Sequence, residues 1–493
     1  MYKRKLEINE GRNNNIIVND YCIDDLSSLK ESIEFVLSRN VNNQPINIII
    51  GADEKLSKKH IEALNKIVQD LNLSYVYIID GTPSSSLGHI VYCNVYDDNI
   101  NKNPNFKNSI IFINAPTKLN IQISAHFQAQ SHQTELLVDL TALAKNLQHY
   151  KNFLHPNTKI TCMIKADGYG AGSVEVAKTL QQYGVDYLAV AVADEGVKLR
   201  EEGIRCPIMV MNPERSSFRS LVEYHLEPEM YNFYLLEAFI KYLKLHELTG
   251  YPVHIKVDTG MHRLGFTYKN IDLLIELLKK EDAVNPVSVF SHFVGSDSPI
   301  FDDFSVVQEE RFNVLSDKIR KEINPNIIRH LCNTAGIERF DNAQYEMVRL
   351  GLGLYGINPI NNEAINTVTT LVTKILYVDE VEQTETVGYS RKGTLDKKSK
   401  IAVLPLGYAD GLFRALGNRK GYCLVNGKKA SYVGNICMDI CMVDVTDIDC
   451  KEGDSVEIFG PHLSASQLAE WIGSIPYEIM TAVSPRVKRI YVE

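Results

Sequence analysis

Eight short, strand-like runs, separated by helical or loop patterns, fill the stretch from Lys159 to Gly356. They read KITCMIKA, YLAVAVA, CPIMVMN, EPEMY, VHIKVDT, VSVFSHF, IIRHLCN and MVRLGLGLYG. Strands alternating with helices over short links predict parallel βα units. Eight such units over about 230 residues predict a TIM-type (β/α)8 barrel, whose usual size is about 250 residues. Gly184 and Gly203 stand where helices of the series should stop. Asp139 is placed to cap a helix carrying Leu140, Leu143, Leu147, Tyr150 and Leu154. Barrels of this kind keep their chemistry at the C-terminal ends of the strands, where Lys165, Arg263, His292 and Asn333 fall.

The flanking regions have different textures. Before the barrel, LSSLKESIEFVL places Leu26, Leu29, Ile33 and Val36 on one helical face, and HIEALNKIVQDL does the same with Ile61, Leu64, Val68 and Leu71. INIII, YVYIID and SIIFINA read as strands between and after them, so residues 1–130 are expected to form a parallel, Rossmann-like sheet. Neither GxxxxGK[ST] nor GxGxxG occurs there, and no phosphate-cradling loop can be assigned. The barrel is expected over 131–365. After GLYGINP, runs such as KIAVLPLGY, YCLVNGKKASYVG and ICMVDVT alternate apolar and polar residues with turn formers between them. Residues 366–493 are therefore expected to be all-β, with SASQLAEWIG as the one short helix.

At 493 residues the chain is too long for a single core. A net charge of −9 argues against a nucleic-acid surface. The polar start lacks the apolar core of a secretory signal, and no run approaches the roughly 20 apolar residues of a membrane span. The nine cysteines are scattered from Cys22 to Cys450 without a CxxC pair, which fits reduced thiols rather than disulfides or a metal site. A cytoplasmic location is expected, with no membrane partner.

TCMIKADGYGAGS concentrates the chemistry. A lysine ending an apolar strand at a barrel mouth is partly desolvated, so its amine can be neutral enough to attack a carbonyl cofactor. Tyr169, four residues on, can serve the same site. From about Thr134 to the C-terminus the motifs resemble the alanine racemase family: MIKADGYGAG, DTGMHRLG, SHFVGSD, HLCNTAGI, MVRLGLGLYG, LPLGYADG, VGNICMDICMVD and PYEIMTAVSPRVKR follow in that family's order.

The resemblance implies pyridoxal 5'-phosphate as cofactor, with Lys165 as its lysine and Tyr169 beside it. Thr334, Gly351, Leu352 and Tyr477 match the family's phosphate-binding positions, and Asn333 belongs to the same group of cofactor-binding residues. Arg349 matches the arginine that faces the pyridine nitrogen, and His292 the histidine that links it towards the catalytic tyrosine. Lys165 and Tyr408 would serve opposite faces of the substrate α-carbon. The tyrosine of the family reaches the partner's barrel, so a homodimer with shared sites is implied. Arg263 and the backbone of Met438 would hold the substrate carboxylate, with Asp439 behind them. Lys256 matches a lysine that is carbamylated in some members and positions Arg263.

Three positions depart from the family pattern: Asn435, where arginine is common, His262, where glycine is usual, and Thr334, where serine is frequent. Residues 3–133 resemble, more loosely, the last domain of the Mur ligase that adds D-alanyl-D-alanine, with Cys22 where asparagine is usual. The ATP-binding domain of such ligases is absent, so this region is expected to be non-catalytic. The expected reaction is L-alanine to D-alanine racemisation, supplying peptidoglycan. The alternatives are a serine racemase, a barrel-type decarboxylase and a cofactor-binding protein without turnover. Decarboxylases of this fold set an acid against the pyridine nitrogen, where this sequence has Arg349.

Overall fold

The N-terminal strands are β1 (Leu6–Glu10), β2 (Ile16–Asp20), β3 (Ile46–Gly51), β4 (Tyr75–Ile79), β5 (Ile90–Cys93) and β6 (Ile110–Asn114), and β-branched and aromatic residues dominate all but β1. They lie in the order β1-β2-β6-β3-β4-β5, with β1 antiparallel and every other pairing parallel. All six residues of β3 and all five of β6 are buried, the pattern of a sheet covered on both faces. The helices Leu26–Arg39 and Lys58–Asp70 bury Leu29, Ile33 and Val36, and Leu64 and Val68. The structure, a computed structural model, describes residues 132–493 throughout. Before them it describes 6–11, 15–20, 26–40, 44–51, 58–71, 73, 75–79, 90–93, 106–115, 120, 123–124 and 127. Cys22 lies outside the described residues.

The chain divides into two compact units, one of 1–141, 369–463 and 482–493, the other of 142–368 and 464–481. In the first lies β7 (Glu135–Asp139), close to the start of the part of the chain described without interruption.

The second unit contains the barrel. Its strands are β8 (Lys159–Met163), β9 (Tyr187–Val190), β10 (Ile208–Val210), β11 (Glu227–Met230), β12 (Tyr251–Lys256), β13 (Val284–Phe290), β14 (Ile328–His330) and β15 (Met347–Leu350). They are parallel neighbours in sequence order, and β15 returns to β8 with Met347 opposite Lys159. Between β14 and β15 no ladder forms, but the Arg349 N–H donates to the Cys332 carbonyl at 3.0 Å, so the barrel is nearly closed. Each predicted run holds one of these strands. Gly184 and Gly203 have φ of +66° and +84°, the left-handed stops expected of them.

The remaining strands of the first unit are β16 (Thr369–Lys374), β17 (Tyr377–Val381), β18 (Thr386–Val387), β19 (Gly393–Thr394), β20 (Ser399–Leu404), β21 (Tyr422–Val425), β22 (Lys428–Ser431), β23 (Cys441–Asp444), β24 (Ser455–Phe459) and β25 (Lys488–Val492). β17, β20 and β23 form a three-stranded sheet, and β18 pairs with β19. The others join the N-terminal strands in one twelve-stranded sheet ordered β22-β21-β24-β16-β7-β25-β1-β2-β6-β3-β4-β5. The seam is the antiparallel pair β1·β25, with Glu7 opposite Val492 and Ile8 opposite Tyr491.

The helix read within SASQLAEWIG spans Ala465–Ile472, capped by Ser464, whose hydroxyl accepts from the Gln467 N–H at 3.1 Å. A second short helix, Pro476–Thr481, follows it. By their contacts both group with the barrel unit. Leu468, Ala469, Ile479 and Met480 supply the buried face.

Candidate active site

The chain leaving β8 is bent to hold one lysine at the barrel mouth. Ala166, Asp167, Gly168, Tyr169 and Gly170 have φ of +52°, +51°, +64°, +54° and +83°, a left-handed turn. Each non-glycine residue in that region costs about 1–2 kcal/mol, so the turn needs outside support. Glu195 supplies part of it, accepting from the Ala166 N–H at 2.6 Å and the Ala191 N–H at 2.7 Å. Asp167 Oδ1 accepts from the backbone and hydroxyl of Ser173, both at 3.0 Å. Gly170 packs directly against the Met480 carbonyl, leaving no room for a Cβ.

The turn places Lys165 and Tyr169 in the wall of a cavity of about 700 Å³, within the size range of small-molecule sites. Lys256, Arg263, His292, Asn333 and Thr334 also line it, as do Arg349, Gly351, Leu352 and Tyr477. Every site residue expected from the barrel segment, and Tyr477, therefore meets at one place. Burial first, and then the nearby Arg263 charge, lower the pKa of the Lys165 ammonium; Glu195 opposes them. Among the described residues Arg263 makes no ion pair.

Arg349 lies deep in the barrel, 3% exposed. Nη1 donates to His330 Nδ1 at 2.9 Å and to the His330 carbonyl. Nη2 donates to the carbonyls of Ser291 (2.6 Å) and Leu331 (3.1 Å) and to His292 Nδ1 (3.1 Å). Burial lowers its pKa to about 10, and it still carries its charge at neutral pH. Burial and the Arg349 charge push both His292 and His330 well below the ordinary histidine value, so both are neutral. Among the described residues Arg349 Nε has no hydrogen-bond partner.

At another part of the wall the Gly351 N–H donates to Thr334 Oγ1 at 2.8 Å. A Cβ on Gly351 would come within 3.0 Å of the Tyr169 hydroxyl and 3.6 Å of Thr334 Oγ1. Tyr169 is stacked on Tyr355 with ring centroids 4.5 Å apart and lies 5.8 Å from the Tyr477 ring. Asn333 caps the helix Thr334–Arg339 through the Gly336 N–H at 3.0 Å and accepts from Ser296 Oγ at 2.7 Å. Thr334 thus keeps a hydroxyl in this group.

The DTGMHRLG turn is wrapped around Asp258. Its carboxylate accepts from the N–H groups of Gly260 (2.9 Å), Met261 (3.0 Å) and His262 (3.1 Å). Burial acts to raise its pKa, but these donors outweigh it and hold the carboxyl below its usual value. Two cavity groups near Arg263 are buried. Lys256 is 5% exposed, its amine 4.3 Å from the Phe290 ring centroid, and burial lowers it to about 8. Glu229 is 2% exposed, and burial raises it to about 7. Sequence reasoning passed over Glu229 and His330: each looks like an ordinary strand residue, and only the barrel's closure turns them inward.

Tyr408, Met438 and Asp439 belong to the first unit, where backbone contacts bring them together. The Tyr408 N–H donates to the Cys437 carbonyl and the Ala409 N–H to the Met438 carbonyl, both at 3.0 Å. Gly407 lies so close to Met438 that a Cβ there has no space. Arg486 ties the two loops, donating to Asp410 at 2.6 Å and to Asp439 at 2.8 Å. Tyr408 is 45% and Met438 54% exposed in the single chain.

The alanine racemase N-terminal domain family matches residues 138–359 and the alanine racemase C-terminal domain family residues 368–491. The alanine racemase of Clostridium novyi is 36% identical over 372 residues, covering 72% of this chain and 94% of that protein. That of Halothermothrix orenii is 37% identical over 367 residues, covering 72% and 95%. Among solved structures, the alanine racemase of Clostridium difficile 630 superposes with a TM-score of 0.69 at 34% identity, covering 73% of this chain and 96% of that one.

Proposed function

The chain belongs to the alanine racemase family and is an isomerase of that kind; from this premise we propose that it interconverts L- and D-alanine by two-base proton transfer, with pyridoxal 5'-phosphate as cofactor. The observation that carries the reading is the meeting, in one cavity, of Lys165, Arg349 and the hydroxyl-lined space beside Gly351. The residues present fit the cofactor. The space a Gly351 Cβ would fill is bounded by Tyr169 and Thr334 hydroxyls, suited to a phosphate with the Leu352 backbone and Tyr477. Arg349 Nε remains as a donor for a ring nitrogen. When bound, the cofactor supplies an electron-withdrawing ring that acidifies the substrate α C–H.

The chain's own residues supply the rest. Lys165 holds the cofactor, and its Nζ, with a pKa lowered by burial, moves the proton on one face of the α-carbon. The hydroxyl of Tyr408 of the partner subunit serves the other face, which requires a homodimer. Arg349 offers only donors, so the nitrogen it meets stays unprotonated; this weakens the electron sink and disfavours side reactions that need a long-lived carbanion. His292, whose Nδ1 accepts from Arg349, has an Nε2–H without a hydrogen-bond partner among the described residues, available to orient the tyrosine oxygen. Arg263 and the Met438 N–H of the partner subunit hold the substrate carboxylate, with Asp439 steadied by Arg486.

No helix among the described residues is long and apolar enough to cross a membrane. We place the enzyme in the cytoplasm, supplying D-alanine for peptidoglycan. The N-terminal region is read as a Rossmann-like relative of the last Mur-ligase domain, without ligase activity.

The test is α-proton exchange and optical rotation of L-alanine in D₂O with pyridoxal phosphate, for wild type, Lys165→Ala and Tyr408→Phe. Racemisation by wild type, lost in both variants, is expected. Cofactor binding without alanine exchange would overturn the alanine assignment; exchange of serine alone would make it a serine racemase.

A further inference from the structure

A file of buried polar side chains crosses the barrel interior from the cavity to the opposite strand ends. It begins at Arg349, whose Nη1 lies 2.9 Å from His330 Nδ1. His330 Nε2 lies 2.9 Å from Ser288 Oγ, and Ser288 Oγ lies 2.7 Å from His254 Nδ1. His254 Nε2 lies 3.0 Å from Glu227 Oε2, at the first residue of β11. The Tyr187 hydroxyl donates to the same oxygen at 3.2 Å. His254, Ser288 and His330 are all fully buried, and the barrel register fixes their spacing, with His254 opposite Ser288 and His330 opposite Phe290.

The two ends of this file dictate its direction. A guanidinium only donates, so His330 Nδ1 must be bare and His330 must carry its proton on Nε2. That proton goes to Ser288, whose hydroxyl then donates to His254 Nδ1. His254 in turn carries its proton on Nε2 and gives it to Glu227, whose carboxylate only accepts. Every bond points from Arg349 to Glu227, and such aligned chains polarise one another in a low-dielectric interior. Reversing the file would set a His330 N–H against the Arg349 N–H.

We propose that Glu227 is a remote positioning residue for the reaction: it holds the His254 proton on Nε2, so that the file through Ser288 to His330, whose own tautomer Arg349 sets, keeps one direction and fixes the orientation of Arg349 towards the cofactor. The proposal rests on the reading that Arg349 meets the cofactor ring. Glutamine in place of Glu227 can present either an oxygen or an N–H to His254, so it removes the directional lock while keeping size and hydrogen bonding.

The experiment records two-bond ¹H–¹⁵N spectra of ¹⁵N-histidine-labelled protein, with and without pyridoxal phosphate, alongside steady-state alanine racemisation. His254 and His330 are assigned by their replacement with glutamine. In wild type the Nε2 of each is expected to carry a proton that it donates along the file. Glu227→Gln is expected to mix the two tautomers at His254 and to lower kcat three- to tenfold, with KM for alanine within twofold. An Nδ1–H tautomer in wild type, or either change without the other, overturns the proposal. Should Glu227→Gln fail to fold, Ser288→Ala removes the middle link. It is expected to shift the His330 Nε2 resonance and lower kcat similarly; an unchanged spectrum or rate overturns the proposal. If wild type does not exchange alanine, the racemase reading fails, and the tautomers of the cofactor-free protein alone decide whether the lock exists.

Discussion

At the scale of single residues, the departures from the family pattern acquire physical content. His262 has φ of +53°, which explains why glycine is usual there: only glycine enters that region without strain. Histidine is among the side chains that tolerate it, and its ring lies 3.2 Å from the Asp258 carboxylate. His262→Gly trades strain for chain entropy and should leave stability within about 0.5 kcal/mol of wild type, whereas His262→Val should cost about 1–2 kcal/mol. Urea denaturation of both variants tests this, and equal losses would contradict it. Glu229 and Lys256 make a second prediction. Between pH 4.5 and about 7 the folded protein keeps a proton on Glu229 that the unfolded chain has released, so stability falls as pH rises through that window. Between about 8 and 10.5 the folded protein holds fewer protons at Lys256 than the unfolded chain, so stability recovers as pH rises further. Arg349, Arg263 and Asp258 face the same pair and set its balance. The double variant Glu229→Gln, Lys256→Met should therefore gain most over wild type near pH 7–8, by at least about 1 kcal/mol. A gain that is flat across pH 5.5, 7.5 and 9.5 would contradict it. Lys165 and Arg349 were legible because motifs surround them. Glu229, His330, His254 and Ser288 were not, because inward orientation in a barrel depends on register across strands, which no local pattern records.

At the scale of elements, the barrel strands were readable because each is a concentrated run of β-formers bounded by turns and helices. β1 and β2 are five residues each and carry Glu7, Asn9, Asn19 and Asp20, and that polarity hid them. The helix Ala465–Ile472 was legible, but its attachment to the barrel unit was not, because one amphipathic face does not name its partner. The left-handed turn after β8 is the element on which the site depends most. Its cost is offset by Glu195, which alone accepts from both Ala166 and Ala191. Glu195→Ala leaves two backbone N–H groups without that acceptor, at about 1–3 kcal/mol. The released turn should also misplace Lys165. The expected outcome is a lower melting temperature together with at least tenfold weaker binding of pyridoxal phosphate, followed by absorbance titration. A variant that melts lower but binds the cofactor as tightly as wild type would show that the turn does not depend on this clamp.

At the scale of the whole molecule, the N-terminal region is joined to the rest by more than a peptide link. β1 pairs with β25, and β25 pairs with β7 on its other side, so the two ends of the chain share one sheet. This pairing brings Glu7 beside Val492, a sequence separation across which composition and periodicity are silent. Removal of residues 1–131 would leave β25 as an edge, its unpaired backbone flanked by the mostly buried Ile490 and Tyr491. Such an edge is a template for pairing between molecules. The racemase portion itself should still fold, since a relative matched over 94% of its length by 72% of this chain has no room for a segment of that size. The truncated protein is thus expected to racemise alanine with kcat within about threefold of the full chain, but to melt several degrees lower and to scatter light on standing at high concentration. Tyr491→Lys in the truncated protein, which sets a charge on the new edge, should suppress the scattering without restoring the melting temperature. Unchanged melting and scattering after truncation would show that the β1·β25 seam contributes nothing to holding the molecule together, and would leave the N-terminal region without a structural role.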